Sequence, residues 1–159
     1  MCRQQGFSLI ELLVVVAIIL IIAVMAIPSF LQSRIAANEA SAVASVRTIT
    51  TAQNTYASTY PDLGYACTLA TLGPSADGTI STTAAGLIDS VLAGGKKTGY
   101  QLNIDPSTCS GTPSFTYIVT AVPVMVGQSG NRRFCSDQTN IIRYAANGDC
   151  STATSSPVQ

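Results

Sequence analysis

From Phe7 to Ile27 the chain runs 21 residues in which only Ser8 and Glu11 are not apolar. A helix needs about 20 apolar residues to cross the hydrocarbon core of a bilayer. This stretch is therefore predicted to be a membrane-spanning helix (7–27) before it is anything else, and the fold must be built around one end that water rejects. Charged residues are only 10% of the 159-residue chain, an odd value for a soluble globule. Beyond residue 60 the composition turns to Thr, Ser, Gly and Ala with scattered charge. Such a length holds one domain plus an extra element and not two full domains. The formal net charge is zero, so no nucleic-acid contact is expected.

The flanks of the apolar run decide what kind of membrane segment it is. A secretory signal has a shorter apolar stretch and a small-x-small cleavage site after it. Here the run is too long, and Ile27-Pro28-Ser29-Phe30 is a poor site of that kind. Met1 to Gly6 is short and polar and carries Arg3; positive charge kept on the cytoplasmic side leaves the C-terminal bulk outside. Glu11 is the second anomaly. A carboxylate near the start of a membrane helix costs a few kcal/mol and marks a functional position by default. Ser8 and Glu11 also have the S-x-x-E spacing of a capping box, in which both side chains satisfy free backbone N–H groups. The two roles stay open, and one can follow the other.

Gly6-Phe7-Ser8-Leu9-Ile10-Glu11-Leu12-Leu13, an unbroken apolar run and then Pro28 together resemble the N-terminus of type IV pilins and of the related pseudopilins. The resemblance covers roughly residues 1–60; Ser8 stands where the family more often has threonine. It implies that residues 1–6 are a leader removed by a prepilin peptidase. The cut then falls between Gly6 and Phe7, and Phe7 becomes an N-methylated first residue. Methylation keeps the amine positive. In a fibre core, Glu11 is expected to pair with the Phe7 ammonium of a staggered neighbour, which offsets part of the cost of burying each charge and selects register.

After Pro28 the stripe Leu31, Ile35, Ala42, Val46, Ile49, Gln53, Tyr56 recurs at helical spacing, with Asn38, Glu39, Ser41 and Arg47 among the intervening polar residues. This predicts an amphipathic continuation over 28–60 with one face for a globular domain. Pro28 lacks an N–H and is expected to kink or loosen the helix, and Pro61 ends it. Residues 61–98 read as a connecting region with a turn or two of helix at Cys67–Leu72 and a helix over Ala84–Ala93. Residues 99–159 read as a β-meander with strands at Tyr100–Ile104, Phe115–Val122, Arg132–Cys135 and Asn140–Tyr144. The expected fold class is α+β: a long N-terminal helix packed on a small antiparallel sheet, similar to the pilin fold.

The five cysteines are Cys2, Cys67, Cys109, Cys135 and Cys150, and histidine is absent. Without histidine there is no Ser-His-Asp or Cys-His nucleophile and no imidazole ligand, and no other catalytic constellation stands out; the chain reads as a non-enzyme with no cofactor or metal. Asp137, Asn140, Asn147 and Asp149 match no calcium loop and read as turn formers. Lys96-Lys97 and Arg132-Arg133 read as solvated surface. Loss of Cys2 with the leader leaves four cysteines and three possible pairings. Cys135 with Cys150 would close a loop of about 15 residues, worth roughly 3 kcal/mol in the loop-entropy model, and would pin a Ser/Thr-rich tail that otherwise reads as mobile. In pilins a C-terminal disulfide loop of this kind often lies on the outer surface. Cys67 with Cys109 then follows by elimination.

The resemblance implies a pilus subunit serving adhesion, twitching motility or DNA uptake, or alternatively a pseudopilin of a type II secretion system. Implied partners are further copies in a helical fibre, the prepilin peptidase, and an inner-membrane platform with its ATPase motor. The precursor is expected in the inner membrane with its C-terminal domain in the periplasm, and the product in an extracellular pilus. Glu11→Ala is expected to leave processing and insertion intact and to impair assembly; normal fibre yield from that variant, measured by shearing cells, would refute the role given to the carboxylate.

Overall fold

The computed structural model describes residues 7–109, 111–146 and 148–158. Residues 1–6, with Cys2, Arg3 and the expected cleavage position Gly6, and Asn147 lie outside them. The architecture is α+β and pilin-like: a long N-terminal helix and a six-stranded antiparallel sheet. Helix α1 spans Leu9–Thr59 and is assigned as helical straight through Pro28. Two compact units meet in sequence between Arg34 and Ile35.

In the first unit nearly every described apolar side chain is exposed, from Phe7 to Leu31. In the second unit α1 becomes amphipathic, as its spacing predicts. Ala42, Val46, Ile49, Ala52 and Tyr56 are buried and join one hydrophobic core with Tyr100, Leu102, Ile104, Val119, Ala121 and Phe134 from the sheet. Each large side chain buried in this way contributes about 1.5–3 kcal/mol. Gln53 lies in the same stripe with no exposure. Its amide is satisfied because Nε2 donates to the Ala66 carbonyl at 2.7 Å and Oε1 accepts the Ala66 N–H at 2.8 Å. This pair of bonds fastens the connecting segment to the helix. Tyr60 N–H still donates to the Tyr56 carbonyl, and Pro61, which has no N–H, ends the ladder.

Helix α2 is a single turn, Leu69–Leu72, capped by the Thr68 side chain. The helix expected over Ala84–Ala93 is shorter. Only Ser90–Ala93 forms a turn, α3, capped by Asp89. The reason is that Gly86 takes φ +65°, while Ala85, Gly86, Leu87 and Ile88 give their N–H groups to the carbonyls of Thr71, Gly73 and Leu72. Those donors cap the end of α2 and are lost to a helix of their own.

The strands follow in chain order, β1 (Lys96–Lys97), β2 (Tyr100–Ile104), β3 (Ile118–Pro123), β4 (Arg133–Asp137), β5 (Arg143–Ala145) and β6 (Ser156–Pro157), and each pairs antiparallel with the next. Leu102 faces Ala121, which faces Phe134, which faces Tyr144. The third strand starts at Ile118 and not at Phe115, because Ser114 bridges to the connecting segment instead, donating to Leu63 and accepting from Tyr65. The fifth strand starts at Arg143 and not at Asn140. Asp137 caps a turn through Thr139, and Asn140 has φ +61°, which ends the pleat. The tail is also more ordered than its composition suggests: Ser151 accepts from Ser155, and the chain then pairs as β6. Lys97 reaches Asp89 at 3.8 Å across a solvated surface.

Behind the sheet, the Tyr117 ring is fully buried and lies 4.8 Å from the Tyr65 ring. Its hydroxyl has no hydrogen-bond partner among the described residues. Burial raises its pKa, so the group stays neutral. A buried hydroxyl without a partner has already lost its solvation. Tyr117→Phe is therefore expected to fold normally and to be as stable as the parent or slightly more so in denaturation experiments; a loss above about 1 kcal/mol would show that the hydroxyl is satisfied.

Candidate functional site: the N-terminal helix and its anchorage

The sequence places the functional positions at the start of α1. Ser8 begins the helix through its carbonyl, which accepts the N–H groups of Glu11 and Leu12 at 3.1 and 3.2 Å. The reciprocal side-chain bonds of a capping box are not formed, and the Glu11 carboxylate has no hydrogen-bond or ion-pair partner among the described residues. It sits in the first turn, exposed, where the positive end of the helix dipole favours an anion. Phe7, immediately before, is 77% exposed. An 18-residue window of α1 has mean hydropathy 3.3 and no buried share. By length and composition the helix can cross a membrane, and these features fit a membrane-anchored precursor.

Pro28 lies within α1. One turn on, the Ser33 hydroxyl donates to the Ser29 carbonyl at 2.9 Å, and the Arg34 guanidinium lies 5.6 Å over the Phe30 ring. Chemically this segment is a smooth apolar rod bearing one carboxylate. No cluster of metal-ligating side chains occurs among the described residues.

The second unit holds its part of α1 by an interaction that the sequence reading passed over. Glu39, which the helical pattern places among the polar residues between the apolar positions, is 5% exposed. Its Oε1 accepts the main-chain N–H groups of Asn131 and Arg132 at 2.9 and 3.1 Å, and its Oε2 accepts Arg132 Nε at 2.6 Å. Burial pushes the carboxyl pKa up, but these donors together outweigh it and hold the group below its ordinary value. Arg132 keeps the surface exposure expected of it, and its guanidinium also lies 5.7 Å over Phe134 and 5.4 Å over Tyr144. Tyr100 donates its hydroxyl to the Arg132 carbonyl at 2.8 Å, and burial beside Glu39 raises the phenol to about 12. One residue earlier, Asn38 Nδ2 donates to the Ser129 carbonyl at 2.9 Å. The signal was present in the spacing: Glu39 falls between Ile35 and Ala42 at steps of four and three, on the buried stripe itself.

Two disulfides complete the unit. Cys67 is joined to Cys109 and Cys135 to Cys150, with Cα–Cα distances of 5.5 and 5.8 Å. The second closes the loop that carries β5. Asp149, considered above as a cation ligand, pairs with Arg133 at 2.5 Å, and Asp137 is occupied by its own turn.

Residues 1–27 match the family model described as the prokaryotic N-terminal methylation motif, the signal found on type IV pilins and pseudopilins. The chain therefore carries that motif on a pilin-like α+β fold. Neither a curated protein nor a solved structure matches the chain.

Because the Glu39 pKa is lowered on folding, its share of stability is present above its unfolded value near 4.5 and is lost as pH falls through the lower folded value. Glu39→Gln is expected to cost about 1–3 kcal/mol at pH 7 in denaturant titrations of the detergent-solubilised chain. That difference should shrink as the pH is taken below about 4. Equal stability at neutral pH would refute the anchoring role.

Proposed function

We propose that this protein is a structural subunit, not an enzyme, that polymerises through α1 into a type IV pilus. The observation that carries the reading is the methylation motif over residues 1–27, set on a helix whose apolar side chains are exposed. Prepilin peptidase cuts between Gly6 and Phe7 and methylates Phe7. Until the subunit enters the fibre, 7–27 anchors it in the inner membrane with the second unit in the periplasm. The platform and ATPase motor then draw subunits into the fibre, where Glu11 meets the Phe7 ammonium of a neighbour. Pro28 lets the segment before it loosen as the environment changes from lipid to protein. The disulfide-closed loop 135–150 supplies part of the outer surface, and that loop together with four paired cysteines favours a pilus over a secretion pseudopilus.

Adhesion, twitching motility and DNA uptake are the tasks such a fibre performs. Mass analysis of the mature protein is the direct test. It should begin at an N-methylated Phe7, and any other first residue would overturn the reading. Sheared surface fibres should consist of this chain; its retention in the periplasm together with a secretion defect on deletion would assign it to a type II secretion system instead.

A further inference from the structure

The turn between β3 and β4 carries Val124, Met125 and Val126, which are 60%, 53% and 67% exposed. Three consecutive apolar side chains held in water are unfavourable in a folded surface unless they have a use. This turn is also held in place. Val124 N–H donates to the Gly99 carbonyl at 2.9 Å, and the Met125 carbonyl accepts the N–H groups of Gln128 and Ser129 at 3.2 and 2.9 Å. Met125 N–H donates to Ser129 Oγ at 3.0 Å. Asn38 and Glu39 of α1 bind the following residues, Ser129 and Asn131. Gly130 has no space for a side chain because the Tyr100 phenol lies against it. The apolar triplet is thus a preformed knob, locked in register to the helix by two adjacent side chains.

We propose that this knob packs on the apolar part of α1 of a second copy. The inference rests on the reading of the chain as a polymerising subunit, and it names a contact by which the second unit takes part in the fibre. Three observations choose this occupant. The stretch Val124 to Gly130 contains no charge, matching a helical surface whose exposed residues up to Leu31 are apolar except for Ser8, Glu11 and Ser29. The knob is tied through Asn38 and Glu39 to the part of α1 that follows the polymerising segment in sequence, so a subunit that enters a fibre carries the knob with it. It also lacks the Trp, Tyr, Lys and Arg that anchor a surface at a lipid interface. Methionine at its centre suits a contact with ridged helical surfaces, being unbranched and adaptable.

The test uses the full chain in cells that make the fibre. A photoreactive residue at Met125 is expected to give an adduct between two copies, mapped by peptide mass to the 7–31 stretch of the partner copy. The double variant Met125→Ser, Val126→Ser is expected to lower sheared fibre about tenfold or more, the factor that a weakening of about 1.4 kcal/mol produces. Processing at Phe7, both disulfides and thermal stability should stay as in the parent, because neither side chain belongs to the core. Adducts only to lipid, to a different protein or to another part of the partner copy would overturn the proposal, as would an unchanged fibre yield. Failure of the wider reading is distinct: the unmodified protein would then lack methylated Phe7 and yield no fibre, and both ideas would fall together.

Discussion

The stretch from Leu9 to Ile27 exposes hydrocarbon along its length. Each square ångström left in water costs about 25 cal/mol, and a whole helix of this kind has no tolerable aqueous state. Two hosts remove the cost, a bilayer and a bundle of like helices. Neither host tolerates an unpaired carboxylate cheaply, which is why Glu11 constrains the segment more than any apolar residue does. Where the helix lies in lipid, the start of the span is the least costly place for it. Where it lies among helices, only a neighbour carrying a cation at the right height removes the penalty.

The second unit solves a different problem with few charges. Its core is a helical stripe laid on a small sheet, and two polar side chains within that stripe fix how helix and surroundings meet. Gln53 binds both main-chain groups of Ala66, and Glu39 gathers three donors from Asn131 and Arg132. Apolar packing alone tolerates sliding, since one aliphatic contact resembles the next. A buried carboxylate does not, because any other register leaves it unpaired. The Phe134 and Tyr144 rings beside Arg132 and the neutral Tyr100 phenol extend this polar contact into the sheet without adding another charge.

The legible parts were those in which a single physical demand fixes residue type over a long run. The apolar stretch, the carboxylate within it and the alternation of Tyr100, Leu102 and Ile104 are of that kind. The stop at Pro61 follows from a missing N–H and needs no tertiary context. Glu39 stands on the buried stripe by its spacing from Ile35 and Ala42, but a charged residue is ordinarily read as solvent-facing; what local spacing cannot supply is the identity of its donors, more than ninety positions away. The shortened α3 has the same origin, since the N–H groups of residues 85–88 are taken by α2. Strand starts shifted where Ser114 and Asp137 use their bonding groups in a bridge and a turn. The short edge strands β1 and β6, at two residues each, carry too little pattern to be seen. At the functional end, residue types were readable, but the Val124–Val126 knob was not, because its exposure is a property of the fold.

The order of the strands has a consequence for how such a chain is made. Every strand in the sheet neighbours the one before it in sequence, so no strand must wait for a later one to fill a gap. A chain tethered by its N-terminal helix and delivered progressively across a membrane can add each strand to an edge that already exists. The loops to be closed are short, and short closures are fast and cost little entropy. β6 and Cys150 follow the other strands in sequence, so the edge at β5 is covered and the Cys135–Cys150 loop sealed after the rest of the sheet is in place. The sheet is, in effect, written in the order in which it is read out.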